Sequence, residues 1–233
     1  MSGATQPGAS PRVHVVAIDG PVGVGKSTVA RAVAERLGFR HIDTGAMYRA
    51  VVHQLLQLPP GDRSADNAAA IAESMRLNLA EDGRVLLDGA DVTDAIRDEE
   101  VSRNVHLAAD NRRVREALVA QQRRLGEERP SVLEGRDIGT VVFPDAQWKI
   151  YLDADPAERV RRRVEQFRAA GRSVDEEAVA ANLRDRDERD KSRPWGALRR
   201  AEDAELLDSS TLTEQQVVQA ICDRVLGGVP LAS

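Results

Sequence analysis

The chain has 233 residues, 42% of them apolar and 3% aromatic, with one cysteine and a formal net charge of −5. That length suits one sizeable domain with insertions, and the apolar fraction supports a core that must be aliphatic. The acidic balance argues against wholesale nucleic-acid binding, a single Cys222 cannot close an internal disulfide or build a metal cluster, and no apolar run approaches the ~20 residues of a membrane span. Cys222 falls in the apolar pattern Val217, Val218, Ile221, Cys222, Val225 and reads as a small core residue, which fits a reducing cytoplasm.

Residues 1–11 are rich in Gly, Ala, Ser, Pro and Thr with no apolar centre, and read as a disordered tail. Val13 to Asp19 (VHVVAID) is a short β-rich run ending at Gly20, as expected of a strand buried on both faces. A glycine-rich loop follows, then a helix from Lys26 to Leu37, stopped by Gly38. Phe39 to Asp43 is a second strand candidate, and Ala46 to Leu58 a second helix ended by Pro59 and Pro60. Between Gly61 and His106 the texture changes. A helix over Asn67 to Met75 is followed by short alternating runs separated by Asp82-Gly83 and Asp88-Gly89, which predict a small antiparallel insert. A charged helix over Asn111 to Arg129, a strand over Ser131 to Glu134, a strand over Trp148 to Leu152 and a helix over Pro156 to Ala170 come next. The chain closes with a charged helix over Glu176 to Lys191, a strand over Ala204 to Asp208 and a helix over Thr213 to Leu226. Strands alternating with helices imply a parallel α/β sheet covered on both faces, here of five strands.

Gly20, Pro21, Val22, Gly23, Val24, Gly25, Lys26 and Ser27 fit G-x-x-x-x-G-K-[ST] at every fixed position, with Thr28 next and the required strand and helix on either side. Glycines let the backbone turn its N–H groups toward phosphate oxygens, and the helix starting at Lys26 directs its positive end at the same anion. Lys26 is placed for the β- and γ-phosphates of ATP and the Ser27 hydroxyl for Mg²⁺. A GTPase would carry an N-K-x-D segment, which this sequence lacks.

Three further segments gather cations. After the second strand comes Asp43-Thr44-Gly45-Ala46-Met47-Tyr48-Arg49, which offers a helix N-terminus with Arg49 one turn inside. After the third comes Glu134-Gly135-Arg136-Asp137. Glu134 closes an apolar strand at the place of a Mg²⁺-side acid, acting directly or through water, while Arg136–Asp137 has the alternative of a loop salt bridge. Arg186, Arg189, Asp190 and Arg193 fall at i, i+3, i+4 and i+7, so they share one helix face. A solvated, ion-paired helix is the bland alternative. Beside a phosphate loop, cations around a moving phosphoryl group are the stronger reading.

These motifs make the chain closely resemble the bacterial cytidylate kinases, over about Val13 to Leu226. The resemblance rests on GPVGVGKST, DTGAMYR, VREAL at Val114 to Leu118, EGRDIGTVVFPDA at Glu134 to Ala146, and RDERDKSR at Arg186 to Arg193. It implies a P-loop kinase that transfers phosphate from ATP to CMP or dCMP with Mg²⁺, in the cytoplasm and as a monomer, without nucleic-acid or membrane partners. It also implies a core over 12–60 and 107–226, a monophosphate-binding insert over 61–106, a short arginine-rich lid over 172–196 within the core, and a tail over 227–233. By motif match, Thr44, Arg49 and Arg136 would hold the monophosphate, Arg115 and Asp137 the cytosine, and Asp190 the ribose hydroxyls. Tyr48 would join the CMP site, and Arg186, Arg189 and Arg193 would close over the phosphates. Some members carry a base-contacting serine where this chain has His106, so Ser102 or a water would replace that contact. The alternatives are a UMP or shikimate kinase of the same fold, or a nucleotide-gated binding module.

Overall fold

The computed structural model describes residues 14–169 and 171–227. The tail expected over 1–11, Val13 of the first strand, and the end of the tail expected over 227–233 lie outside those residues. In chain order, β1 (Val15–Asp19) leads through the phosphate loop into α1 (Lys26–Leu37), followed by β2 (Arg40–Asp43), α2 (Thr44–Gln57) and α3 (Ala65–Ser74). Three short strands follow, β3 (Leu77–Leu79), β4 (Val85–Leu87) and β5 (Ala90–Asp91), then α4 (Glu99–Asn104), α5 (His106–Ala109) and α6 (Arg112–Glu127). The remainder is β6 (Ser131–Gly135), β7 (Trp148–Asp153), α7 (Pro156–Ala169), α8 (Glu176–Ser192), β8 (Glu205–Asp208) and α9 (Glu214–Val225).

The main sheet is five-stranded in the order β2-β6-β1-β7-β8, and its paired strands are parallel. Alternation along β1 explains how one strand serves two layers. Val15 and Ala17 join the cluster of Ile42, Met47, Leu118 and Leu133, while Val16 and Ile18 join that of Val29, Val33, Leu152 and Ile221. Cys222 is fully buried in the second cluster. The expected antiparallel insert is the three-stranded sheet β3-β4-β5, whose Leu79, Val85 and Leu87 pack into the first cluster. Asp88 and Gly89, both at positive φ, make its two-residue turn.

Three differences from the sequence reading bear on the site. Capping acids lengthen helices at their starts: Asp43, not Ala46, sets the start of α2, because its carboxylate accepts the Ala46 N–H at 2.9 Å. Residues 99–104 and 106–109, where no helix was expected and across the expected boundary between insert and core, form α4 and α5. The helix carrying the arginine cluster stops at Ser192, since Arg193 has extended backbone angles (φ −56°, ψ 135°) before Pro194, so Arg193 is not on the common helix face.

Candidate active site

The carboxyl ends of β1, β2 and β6 converge on one cleft, the usual ligand position of an open parallel sheet. Gly20 turns the chain out of β1 so close to β7 that a Cβ would overlap the Leu152 carbonyl oxygen. Helix α1 begins at Gly25 with no side-chain cap, whereas Asp43, Ser64, Asn111, Asp175 and Thr213 cap α2, α3, α6, α8 and α9. The first-turn N–H groups of α1 are therefore left for an anion. Lys26 is buried, with Nζ donating to the Pro21 carbonyl at 2.7 Å. Burial pushes its pKa well below the usual lysine value, Arg136 adds to the shift, and Glu134 opposes it. The Ser27 hydroxyl donates to Glu134 Oε2 at 2.7 Å, and the other oxygen of Glu134 lies 3.0 Å from His41 Nε2.

The opposite wall is built from α2, β6 and the segment after α8. While capping α2, Asp43 also accepts from Arg49 Nη2 at 3.1 Å, which holds that guanidinium over the helix start. Arg49 Nε is buried with no partner among the described residues. Thr44 Oγ1 donates to the Glu134 backbone oxygen at 2.6 Å, joining the start of α2 to β6. Arg136 Nε donates to Asp190 Oδ2 at 2.7 Å, and Arg193 Nη2 lies 2.8 Å from Asp190 Oδ1. Burial alone would raise the Asp190 pKa, but Arg136 and Arg193 outweigh it and hold the carboxyl below its usual range. Arg193 also reaches Asp110 at 2.8 Å, tying the segment after α8 to the end of α5.

Arg115 and Asp137 form a buried ion pair. Burial raises the Asp137 pKa, with Arg115 and Arg193 opposing. The Arg115 guanidinium lies 5.6 Å from the Tyr48 ring centre, and burial lifts the Tyr48 phenol to about 12. Gly196, at φ +62°, roofs the pair so closely that any side chain there would overlap Arg115. Asp137 therefore pairs with Arg115 and not with Arg136, against the loop salt bridge considered from sequence; Arg136 takes Asp190 instead.

The cleft has a volume of about 1980 Å³, larger than the ~300–1,000 Å³ typical of one small-molecule pocket. Val22 to Thr28 line one side of it, and Thr44, Tyr48, Arg49, Arg115, Arg136 and Asp137 the other. Glu134 sits between them, and Arg186, Arg189, Asp190 and Arg193 come from the α8 side. Gly20 and Pro21 stand behind the loop, outside the lining. Arg189 is exposed, whereas Arg186 is half-buried and pushed down to about 10 by burial and by Arg136. Ser102 and His106 both line the cleft, with His106 Nδ1 3.2 Å from the Arg103 carbonyl.

Sequence reasoning missed His41, Asp19, Arg159 and Asp187. His41 lies two residues before Asp43, so strand alternation puts both on the Glu134 side. Asp19 closes β1 as Glu134 nearly closes β6, and it accepts the Ile138 and Gly139 N–H groups at 2.8 and 2.7 Å. Burial lifts its pKa to about 6. Asp187 shares a buried stripe of α8 with Leu183 and Asp190, a spacing of i, i+4 and i+7 for which the apolar Leu183 was the available signal.

The resemblance is borne out by comparison with known proteins. Among solved structures, an uncharacterized protein from Eubacterium ventriosum ATCC 27560 matches with a TM-score of 0.51 at 12% identity, over 93% of this chain and 99% of that one, a likeness of fold alone. Among curated relatives, the chain is 46% identical to a cytidylate kinase of Pelotomaculum thermopropionicum, over 91% of this chain and 96% of that protein. It is 47% identical to a cytidylate kinase of Solibacter usitatus, over 89% of this chain and 90% of that protein. A bifunctional pantoate ligase/cytidylate kinase of Gloeobacter violaceus is 43% identical over 94% of this chain, which spans only 44% of that longer protein. The family model described as cytidylate kinase matches residues 16–226, from inside β1 to the end of α9, and so takes in both walls of the cleft. The chain belongs to the cytidylate kinase family.

Proposed function

We propose that the chain transfers the γ-phosphate of ATP to CMP or dCMP, giving CDP or dCDP. The observation that carries this reading is a convergence of cations. Lys26, Arg49, Arg136 and Arg186 come from four elements and stand near enough to one another that burial and mutual repulsion depress the pKa values of Lys26 and Arg186. Such an arrangement is unfavourable unless an anion offsets it, and the uncapped start of α1 points the same way. Phosphoryl transfer is catalysed chiefly by positioning and by cations around the moving group.

In this reading the loop Gly20 to Thr28 holds the ATP phosphates, with Lys26 reaching the β- and γ-phosphates. Thr44, Arg49 and Arg136 hold the monophosphate of the acceptor, Arg115 and Asp137 its base beside Tyr48, and Asp190 its ribose. Arg186, Arg189 and Arg193 neutralise charge developing on the transferred group. The residues 61–106 would then serve the monophosphate side and 172–196 the closing side. Action as a monomer, on ATP and CMP or dCMP alone, is part of the same proposal. Among the described residues no helix is long and apolar enough to cross a membrane.

The Ser27 hydroxyl and Glu134 carboxylate, 2.7 Å apart, are the hard oxygen donors that suit Mg²⁺. That ion usually takes one or two protein oxygens and completes its shell with water and phosphate. Mg²⁺ bound there would supply charge neutralisation across the β- and γ-phosphate oxygens. No side chain need act as a general base, and closing the α8 side over both substrates excludes water that would otherwise hydrolyse ATP. The test is ADP release from ATP and Mg²⁺ with and without CMP. A sharp rise on adding CMP is expected; equal rates would favour a nucleotide-gated binding module.

A further inference from the structure

Val22, at the tip of the phosphate loop, has both of its backbone polar groups engaged by side chains from the helical side of the cleft. Its N–H donates to Asp187 Oδ1 at 3.3 Å, and its carbonyl accepts from Arg159 Nη1 at 3.1 Å. The same Arg159 nitrogen is paired with Asp187 Oδ2. Arg159 stands on α7 and Asp187 on α8, and both are buried. Leu183, one turn before Asp187, approaches the loop as well: a Cβ on Gly23 would lie 3.7 Å from its side chain and 3.5 Å from Arg159 Cβ. Three separate segments thus meet at one backbone residue through one desolvated ion pair.

We propose that Arg159 and Asp187 are positioning residues that lock α8 to the tip of the phosphate loop, and so set the rotation at which Arg186 faces the transferring phosphate and Asp190 the acceptor's ribose. Asp187 directly follows Arg186 and lies one turn before Asp190 on α8. Helical geometry therefore makes the orientation of Arg186 a function of where Asp187 is held. A buried pair suits this use because it tolerates one geometry. Displacement by an ångström leaves two charges desolvated and mispaired, whereas an apolar contact would slide. Neither residue needs to touch substrate. The proposal rests on the phosphotransfer reading above and names two residues that reading does not use.

The test is a double-mutant cycle with Asp187→Asn, Arg159→Met and the double variant, each assayed with ATP and CMP beside the parent and checked for fold by circular dichroism and thermal melting. Activity of the parent on CMP tests the phosphotransfer reading itself, and the comparison of variants with parent tests the clasp. Each single variant is expected to lose about tenfold or more in kcat, within the range of a coupling between sites, with KM for CMP moving less than threefold. The double variant should be no worse than the weaker single, because one unit has been broken once. A second readout needs no turnover. Trypsin cleavage between Arg168 and Arg184, in the presence of a non-hydrolysable ATP analogue, should be slow in the parent and several-fold faster in both single variants. Folded single variants with kcat within twofold of the parent, or losses that multiply in the double variant, would overturn the proposal. So would cleavage as slow as in the parent.

Discussion

Asp137→Asn is the substitution on which the proposed base recognition can be worked through most fully. Cytosine presents an exocyclic amine, a donor, beside its N3 acceptor; uracil presents the O4 acceptor beside N3–H. A carboxylate next to a guanidinium matches cytosine and opposes uracil at both positions. In the structure Asp137 and Arg115 are 5% and 6% exposed, so a mismatch there is not relieved by solvent. Asparagine keeps one oxygen for Arg115 but removes the charge, and its amide can turn a donor toward O4. The variant should lose about 1–3 kcal/mol of transition-state binding with CMP, a fall of roughly 5- to 150-fold in kcat/KM, while activity on UMP holds or rises. The CMP/UMP ratio should therefore shrink at least ~fivefold. Leaving Arg115 with a neutral partner also costs stability, about 1–3 kcal/mol. At ~2–4 °C per kcal/mol for a chain of this size, the midpoint should drop by roughly 2–12 °C, which leaves the protein folded at 25 °C. Alanine is the poorer probe, because stranding the buried guanidinium costs about 3–5 kcal/mol. The assay is kcat/KM for CMP and UMP at saturating ATP, run on the parent and the variant at the same pH. An unchanged ratio in a folded variant would refute base reading by Asp137 and leave it a structural partner of Arg115.

Lys26→Ala should lower turnover by roughly 10² or more with the circular-dichroism spectrum intact, since Nζ is proposed to meet the β- and γ-phosphates; near-normal turnover would move the ATP site elsewhere. Arg186→Ala and Arg193→Ala should reduce kcat far more than ATP affinity, measured by single-turnover rates and ATP-analogue titration, with lysine rescuing poorly because it lacks the planar fork. Normal single-turnover rates in both would show that neither charge acts in the transfer step. Asp19 makes a pH prediction for the nucleotide-free protein. Its folded pKa, about 6, lies above the ordinary 3.8, so its contribution to stability is full below pH 3.8 and is lost as pH rises through 6. Two units correspond to about 3 kcal/mol. Relative to the parent, Asp19→Asn should therefore become progressively more stable between pH 4 and 6.5 in thermal melts; a parallel pH profile for the two proteins would contradict the assignment.

The fold was largely legible because its signals are local. Short β-rich runs alternating with helical stretches marked the parallel strands, and Asp88-Gly89 marked a hairpin that the backbone makes at two positive φ angles. The phosphate loop was legible for the same reason, since its glycines and Lys26 are contiguous. What stayed hidden depended on pairings between distant positions. Asp137 was weighed against its neighbour Arg136, but its partner is Arg115, 22 residues away on α6. The arginine cluster was read as one continuous helical face, yet helix periodicity carries no notice that Pro194 bars the helical conformation at Arg193. Arg193 still reaches Asp190, because a long side chain from an extended residue can cover the same ground. Asp187 was passed over as one more charge in RDRDERD, where only Leu183 betrayed the inward side.

The most direct measurement of the central claim is transfer of label from γ-³²P-ATP, with Mg²⁺, to a panel of CMP, dCMP, UMP, AMP and shikimate at equal concentrations. Labelled CDP or dCDP should form at least ~tenfold faster than any other product, and little free phosphate should appear without an acceptor. Faster labelling of UMP or shikimate, or release of free phosphate at the same rate with and without CMP, would contradict it.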